Sequence, residues 1–157
     1  MRVVVVTESC FGNTSQVAEA IIEGLRSGGA TVEAVSADSA PPSLSADLVL
    51  VGAPTHNMGL PSSASRSQAA QKGGSAPSSG VREWIDRVDS VDGRVIAFST
   101  TTGGLFAGSA SKAIVKAFKR HKIRAERGTD FTVMGTPGPL AGGELARARE
   151  WGRTLQV

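Results

Sequence analysis

The residues best placed to do chemistry follow a run of four valines near the start of the chain, in TESCFGNT (residues 7–14). Hydroxyl and amide groups come from Ser9, Asn13 and Thr14. Gly12 lets a bound group approach the backbone closely. Where a helix begins, exposed backbone N–H groups and the positive end of the helix dipole form a natural anion site. The loop contains no Lys or Arg, so we expect a phosphate held by neutral donors; the alternative is an ordinary helix cap in a tight turn.

Other phosphate-binding patterns do not match this loop. It lacks the lysine of a P-loop and the three glycines of a dinucleotide-binding turn. A Cys-dependent phosphatase would need an arginine after Cys10, where the sequence has Gln16, and a phospho-acceptor domain would need more acids than Glu8. Cys10 itself has two interpretations: a reactive thiol of lowered pKa at a helix start, or an unreactive thiol beside a bound phosphate.

The elements that must position this loop alternate between short apolar runs and helical patterns. The apolar runs predict five strands, at residues 3–7, 31–36, 47–53, 94–99 and 130–135. Helical spacing predicts helices over residues 12–26, 81–88, 108–121 and 144–155. This alternation predicts one α/β domain spanning residues 1–157, with a parallel sheet covered by helices on both faces. Five strands in a chain of this length suit the order 2-1-3-4-5.

Polar or glycine-bearing loops follow three of these strands. We name them the first loop (TESCFGNT, residues 7–14), the second loop (APTHNMG, residues 53–59) and the third loop (STTTGG, residues 99–104). Ligands of such sheets bind outside the carboxyl ends of the strands, near the switch point in strand order. We therefore expect the three loops to converge on one site. His56 in the second loop would donate a hydrogen bond or shuttle a proton there, or else be a solvated loop residue.

One segment does not fit the alternation of strands and helices. Residues 59–80, GLPSSASRSQAAQKGGSAPSSG, are rich in Ser, Ala and Gly and show no apolar period. We interpret the segment as a flexible connection, with a lid or partner-docking loop as the alternative because it leaves from the end of the third strand. The stretch SASRSQAAQKG leaves room for a short helix.

These residues resemble the flavodoxin family. VVTESCFGNTSQVAEAI is similar to the family's phosphate loop, (Ser/Thr)-x-Thr-Gly-x-Thr, and ESCFGNT is especially similar to the ES-x-FGNT loops of bacterial flavodoxin-like proteins. VGAPTHNMG resembles the second flavin loop and FSTTTGGLFAGSASKAI the third. The resemblance covers nearly the whole chain. It implies the flavodoxin-like three-layer fold with FMN as the cofactor.

The resemblance also implies which residues hold FMN. The phosphate would lie on the first loop, and the isoalloxazine ring between residues 53–59 and 100–105. The implied cofactor-binding residues are Ser9, Phe11, Gly12, Asn13, Thr14, Pro54, Thr55, His56, Asn57, Met58, Gly59, Thr100, Thr101, Thr102, Gly103 and Gly104. Family members reorient one peptide of the second loop with the redox state of the flavin; Gly59 or the Asn57–Met58 link is the counterpart here. No catalytic residue is assigned.

Departures from the family pattern affect both the phosphate loop and the ring site. Phe11 replaces the usual loop threonine, which removes one hydroxyl from the phosphate cradle. The chain contains no Tyr, and neither flavin loop offers the usual Trp or Tyr to stack on the ring. Phe106, His56 and Met58 are the available substitutes, although we expect Phe106 to belong to the core.

Composition excludes several classes of function. The 157 residues contain one cysteine and two well-separated histidines, which gives neither an internal disulfide nor a metal-ligand pattern. The formal charge of +3 is mild, and no recognised motif accompanies the basic stretch KAFKRHKIRAERG, so we expect no nucleic-acid partner. No apolar run approaches the roughly 20 residues of a membrane span. Without a signal-peptide pattern, we expect a cytoplasmic protein.

The sequence therefore predicts an FMN-binding protein acting in electron transfer with an unidentified redox partner protein, or as a small flavin oxidoreductase. Two alternatives remain. One is a flavodoxin-like module with a degenerate flavin site that serves regulation or protein contact. The other is a reductase that uses a nicotinamide cofactor to reduce a small substrate such as a quinone.

Overall fold

A computed structural model describes residues 1–75 and 77–155 of the protein, so residues 156 and 157 of the predicted domain lie outside the described residues. The five strands are β1 (Arg2–Thr7), β2 (Thr31–Ser36), β3 (Ser43–Pro54), β4 (Ser90–Thr101) and β5 (Glu126–Thr132). The helices are α1 (Asn13–Ser27), α2 (Ser63–Gln71), α3 (Val81–Arg87), α4 (Ala110–Arg120) and α5 (Glu144–Thr154), with a short 3₁₀ turn at Ala37–Ser39.

The strands form one parallel sheet in the order β2-β1-β3-β4-β5, which confirms the predicted fold class. Residues Val3–Val6 of β1 are fully buried because helices cover the sheet on both faces. Thr7 pairs with Gly52 of β3, and Pro54 pairs with Thr100 of β4. The register therefore brings the carboxyl ends of β1, β3 and β4 to the same edge of the sheet.

Two hydrophobic cores lie on the two faces of the sheet. On one face, α3 and α4 pack Trp84 and Phe118 edge to face, with ring centroids 5.9 Å apart. On the other face, α1 and α5 cover Phe98 and Phe131. Gly24 of α1 is required for the close approach of these two helices, because a methyl group there would overlap the backbone of α5. The result is the three-layer arrangement that the resemblance implies.

The strand boundaries differ from the predicted ones in a way that burial explains. β3 and β4 begin four residues earlier than residues 47 and 94, and these added residues are mostly exposed, so no apolar run marks them. β5 was predicted at residues 130–135 but spans Glu126–Thr132. Its first residues are polar and lie at the edge of the sheet. The pattern of hydrophobic residues therefore does not predict where the strand begins.

The segment at residues 59–80 is not a plain flexible connection, because it contains α2. A capping box fixes the start of this helix: the Ser65 N–H donates to Ser62 Oγ at 3.2 Å, and the Ser62 N–H donates to Ser65 Oγ at 2.8 Å. The short helix that the sequence left room for is therefore formed. Ala76, within the same predicted segment, lies outside the described residues.

A buried arginine explains why α2 shows no apolar period. Arg66 is only 1% exposed and takes the inward position that a hydrophobic residue would normally occupy. Among the described residues, no helix combines the length and the apolar character that crossing a membrane would require.

Candidate functional site

The three loops meet at one edge of the sheet, as predicted. The Thr55 N–H donates to the Thr100 carbonyl at 2.9 Å, which joins the second loop to the third. The hydroxyl oxygens of Thr14 and Thr100 lie 2.9 Å apart and join the first loop to the third. A cavity of about 150 Å³ lies between the second and third loops. Its walls are Pro54, Thr55, His56, Asn57, Met58, Thr100, Thr101, Thr102, Ala107, Val133 and Thr136.

The first loop turns sharply at Gly12 to begin α1. Gly12 has φ 88°, a left-handed conformation that glycine adopts without strain, and no atom would contact a methyl group added there. The Gly12 N–H donates to Ser9 Oγ at 3.1 Å. Gly12 offers no capping side chain, and the first turn of α1 contains no acidic residue. The start of α1 is therefore suited to an anion.

The second loop is a tight hairpin turn from His56 to Gly59. The backbone groups of these two residues exchange two hydrogen bonds of 2.9 Å. The central residues Asn57 and Met58 both have positive φ, 50° and 70°, as in a type I′ turn. Such turns favour Asn followed by Gly, so Met58 holds a strained conformation. Gly108 fixes the turn, because its backbone packs against the Met58 backbone so closely that a methyl group would overlap it.

His56 is not a solvated loop residue but a buried one, 8% exposed. Its Nδ1 lies 2.9 Å from the Ser65 hydroxyl of α2, and its Nε2 is buried without a hydrogen-bond partner among the described residues. Burial lowers the pKa of His56; the Glu8 carboxylate opposes this shift and Arg66 reinforces it. The imidazole is therefore neutral at pH 7. A buried ring nitrogen without a partner marks a place where a ligand atom would complete the hydrogen bonding.

Hydrogen bonds to Asp130 of β5 hold the third loop in place. Its Oδ1 accepts hydrogen bonds from Ser99 (2.7 Å) and Ser109 (3.1 Å), which lie on either side of the loop tip, and from Ser111 (2.6 Å). Burial alone would raise the pKa of Asp130, but hydrogen bonds, those from the serines and from Arg127 above all, hold it below its usual value. Asp130 is not predictable from the sequence, since one acid in a predicted strand gives no local signal.

The residues after the third loop correct one prediction. Phe106 was expected in the core but is 80% exposed, and Leu105 beside it is 91% exposed. Met58 and Met134 are exposed as well; Met58 itself lines the cavity between the second and third loops, and so does Val133, which precedes Met134. We call Met58, Leu105, Phe106 and Met134 the apolar rim. Phe106 is therefore free to contact a group that protrudes from the cavity.

An ion-pair network joins Glu8 of the first loop to Arg66 and Glu83, and its Glu8 and Arg66 side chains are buried. The Arg66 Nε donates to Glu8 at 2.6 Å, and its Nη2 donates to Glu83 of α3 at 2.5 Å. The Glu8 carboxylate also accepts from the Val81 N–H at 3.0 Å. The network carries one more negative than positive charge, and it ties α2 and α3 to the end of β1. Sequence reasoning missed it because the three charged residues lie far apart in the chain and become neighbours only in the fold.

Cys10 is an inert thiol. It is 4% exposed, and burial raises its pKa to about 11, with a further increase from Glu8 and an opposing effect of Arg66. The reactive-thiol interpretation therefore has no support in the structure, because the nucleophile is the thiolate. Among the described residues, no group of three or more His, Cys, Asp or Glu is placed to hold a metal ion.

A second cavity, of about 120 Å³, adjoins the first. Phe11 of the first loop forms one wall, and the other walls are Thr55, His56, Asn57, Ser65, Gln68, Ala69, Lys72 and Thr136. α2 therefore lines a cavity next to the candidate site, which the sequence analysis connected with residues 59–80 only through the alternative of a lid or partner-docking loop. Gln68 and Lys72 are functional candidates that sequence reasoning missed, because α2 lies in the segment interpreted as a flexible connection.

The structure places the predicted site residues in four groups. Eight line the first cavity: Pro54, Thr55, His56, Asn57, Met58, Thr100, Thr101 and Thr102. Phe11 lines the second cavity only, and Ser9 lines a separate cavity toward β2. Gly12, Asn13 and Thr14 form the start of α1. Gly59, Gly103 and Gly104 belong to the backbone of the second and third loops and line neither of the first two cavities.

The chemistry of these donors fits FMN. An uncapped helix start with a left-handed glycine suits a phosphate, and hydroxyl groups of Thr14, Thr55 and Thr100 lie at the cavity walls or beside them. A polar ligand atom in the cavity would give the unpartnered His56 Nε2 a hydrogen-bond partner. The apolar rim suits the edge of an aromatic ring system.

Comparisons with known proteins agree with this geometry. The family model described as flavodoxin matches residues 5–120. No curated protein sequence matches significantly. The structure is similar to a flavodoxin from the domain Archaea, at 17% identity and a TM-score of 0.61 over 98% of this chain and 94% of that one. It is similar to oxidised flavodoxin 1 of Bacillus cereus, at 15% identity and a TM-score of 0.61 over 97% and 95% of the two chains.

A third similar structure is two-electron reduced Megasphaera elsdenii flavodoxin, at 17% identity and a TM-score of 0.59 over 98% of this chain and 99% of that one. At these identities the structural likeness shows the fold alone, whereas the family model matches most of the sequence, including all three loops. The chain belongs to the flavodoxin family, a family of electron-transfer proteins whose cofactor is FMN.

Proposed function

We propose that this protein binds FMN across the three loops and passes electrons between protein partners. The observation that carries the proposal is the junction at Thr100. Its hydroxyl meets Thr14 of the first loop, and its carbonyl accepts the N–H of Thr55 in the second. Thr100, a residue of the third loop, thereby fixes the start of α1 and the second loop relative to each other.

In this proposal, the start of α1 binds the charged end of the cofactor. The N–H groups of the first helical turn and the hydroxyls of Ser9 and Thr14 donate to the phosphate oxygens. Riboflavin lacks the phosphate, so it would leave these donors without a charged partner. Selectivity for FMN over riboflavin follows.

The second and third loops hold the ring system. FMN, when bound, accepts and releases one or two electrons. His56 presents a neutral imidazole to the cavity, with its ring orientation fixed by Ser65. The side chains of the apolar rim contact the edge of the ring, and Phe106 stacks on it in place of the missing Trp or Tyr.

We further propose that the Asn57–Met58 peptide is the one that changes orientation with the redox state of the cofactor. The turn already holds Met58 at φ 70°, which costs about 1–2 kcal/mol for a residue with a side chain. That strain lowers the cost of leaving the present conformation. Gly59 itself is paired with His56 on both its N–H and its C=O, so it is the less mobile part of the turn.

The redox partner would approach the apolar rim, where the edge of the ring is closest to solvent. Four exposed apolar side chains on neighbouring loops make a small contact surface, typical of transient electron-transfer encounters. Oxidoreductase activity on a small substrate is the competing function, and it needs a direct electron donor such as a nicotinamide cofactor.

Anaerobic mixing of the FMN-loaded protein with NADH or NADPH separates the two functions. An electron carrier stays oxidised with the nucleotides alone and becomes reduced when a catalytic amount of a flavoprotein reductase is added. Rapid direct oxidation of NADH or NADPH would overturn the carrier function in favour of a substrate-reducing enzyme. Absence of any bound FMN would favour the degenerate module.

A further inference from the structure

The first loop contains no Lys or Arg, but Lys72 at the end of α2 lines a cavity together with Phe11 of this loop. Ser65, Gln68, Ala69 and Lys72 follow one another at helical spacing and form the α2 wall of the second cavity, opposite Phe11. Lys72 ends this row at the C-cap of the helix.

The end of α2 is fastened to the first loop. The Ser75 N–H donates to the Cys10 carbonyl at 2.7 Å, and the Ser75 hydroxyl donates to the Ser9 carbonyl at 3.3 Å. Gly74 packs against the backbone of Cys10 and the ring of Phe11, since a methyl group added at Gly74 would lie 2.8 Å from each. The turn that follows Lys72 is therefore fastened to the first loop, and Lys72 lines the same cavity as Phe11 of that loop.

The other electrostatic features near this cavity disfavour an anion. The carbonyl end of α2 carries the negative end of the helix dipole. The network of Glu8, Arg66 and Glu83 adds a net negative charge next to the loop. These two features oppose the attraction that the start of α1 exerts on a phosphate dianion, and a cation close by would offset them.

Lys72 is suited to be that cation. Its side chain is exposed and makes no ion pair or hydrogen bond among the described residues. His56, which lines the same cavity, is buried and keeps Nε2 without a partner, which independently marks the cavity as a ligand site.

We propose that Lys72 is the cationic partner of the FMN phosphate, so that α2 forms the fourth wall of the cofactor site. The inference rests on the proposed function, because it assumes that FMN occupies the three loops. It adds a charged, specificity-determining residue to a site that the sequence predicted to hold its phosphate with neutral donors only.

The test is a set of titrations with FMN and with riboflavin, followed by flavin fluorescence, at about 10 mM and about 500 mM salt, across which electrostatic screening strengthens greatly. The proteins are the wild type, Lys72→Gln, Lys72→Glu and the control Lys116→Gln. Lys116 is an exposed lysine of α4 that lines none of the described cavities.

At low salt, we expect Lys72→Gln to weaken FMN binding about two- to fivefold, the range of a solvent-exposed ion pair, and Lys72→Glu to weaken it further. High salt removes most of the difference because it screens the charges. Riboflavin binding stays unchanged in every variant, and Lys116→Gln binds FMN as the wild type does.

Two results would overturn the inference while leaving the proposed function intact. One is unchanged FMN binding by Lys72→Gln and Lys72→Glu. The other is an equal loss of FMN and riboflavin affinity, which would make Lys72 a residue that only supports the helix end. A wild-type protein that binds no FMN would instead overturn the proposed function. Thermal unfolding of each variant confirms that it is folded.

Discussion

The guanidinium of Arg66 donates to the carboxylate of Glu8 across 2.6 Å, and both side chains are buried, at 2% and 1% exposure. Glu8 directly follows β1 and belongs to the first loop, whereas Arg66 belongs to α2. The pair therefore fixes the position of the extra helix relative to the cofactor site. A buried pair of this kind is costly to break, because the remaining charge is left without its partner.

Replacing Arg66 with Met should test this pair. We expect Arg66→Met to lower the free energy of unfolding by about 3–5 kcal/mol, the usual cost of leaving a buried charge unpaired. The double variant Glu8→Gln/Arg66→Met should recover part of the loss, because it removes the unpaired carboxylate as well. Urea unfolding measures both.

The matched control for Arg66 is Arg149, whose ion pair with Glu23 is exposed at 48% and 62%. Arg149→Met should cost less than about 1 kcal/mol. Equal losses in Arg66→Met and Arg149→Met would contradict the structural role given to the buried pair.

Gly12 and Gly29 provide a second matched comparison. Both have left-handed backbones, at φ 88° and 94°, and neither would bring an added methyl group within 4 Å of another residue. Each change to Ala should therefore lower stability by a similar amount, about 1 kcal/mol. Only Gly12→Ala should weaken FMN binding, by about tenfold, because only Gly12 shapes the anion site. A similar FMN affinity in the two variants would remove Gly12 from the site.

The strained turn of the second loop predicts a stabilising substitution. Met58→Gly should raise the free energy of unfolding by about 1 kcal/mol, because glycine adopts φ 70° without the steric cost. Lys122→Gly is the control, since Lys122 has φ 59° at the end of α4, far along the chain from the loops. Both variants should be stabilised, and only Met58→Gly should change FMN affinity. Destabilisation by Met58→Gly would show that the turn is not strained.

Asp130 should make the stability of the protein depend on pH. Its pKa in the folded protein is below the ordinary value of about 3.9. The stabilisation is therefore present in full above the ordinary value and is lost as the pH falls through the lowered one. Asp130→Asn should cost about 1–3 kcal/mol at pH 7 and progressively less below about pH 4.

Urea unfolding at pH 7 and at pH 3 checks this expectation. Asp89→Asn is the control, because Asp89 is exposed and its side chain makes no ion pair or hydrogen bond among the described residues. A loss in Asp130→Asn that is the same at both pH values would show that the charge of Asp130 is not what holds the third loop.

Local sequence patterns explain how much of the fold was predictable. The valine run of β1 is apolar on both faces because helices cover both sides of the sheet, and a continuous run is a strong signal for such a strand. The three loops were predictable because parallel strands bring their carboxyl ends to one edge. The first loop also carries its own helix-start pattern around Gly12.

The missed parts depend on contacts between distant residues. Arg66 pairs with Glu8 across 58 positions of the chain, and an arginine in a segment rich in Ser and Ala looks exposed until its partners are known. Asp130 gathers serines from positions 99, 109 and 111, which only the fold brings together. Phe106 was expected in the core because aromatic residues are mostly buried, yet its loop projects from the sheet edge.

The most direct test of the account is a titration of the purified wild-type protein with FMN, with riboflavin in parallel, followed by flavin fluorescence and the visible spectrum. We expect stoichiometric quenching of FMN with a perturbed spectrum, and riboflavin binding weaker by at least about tenfold, because only FMN carries the phosphate that the first loop is built to hold. Equal binding of the two flavins would remove the phosphate site at Gly12. Binding of neither would contradict the cofactor site as a whole.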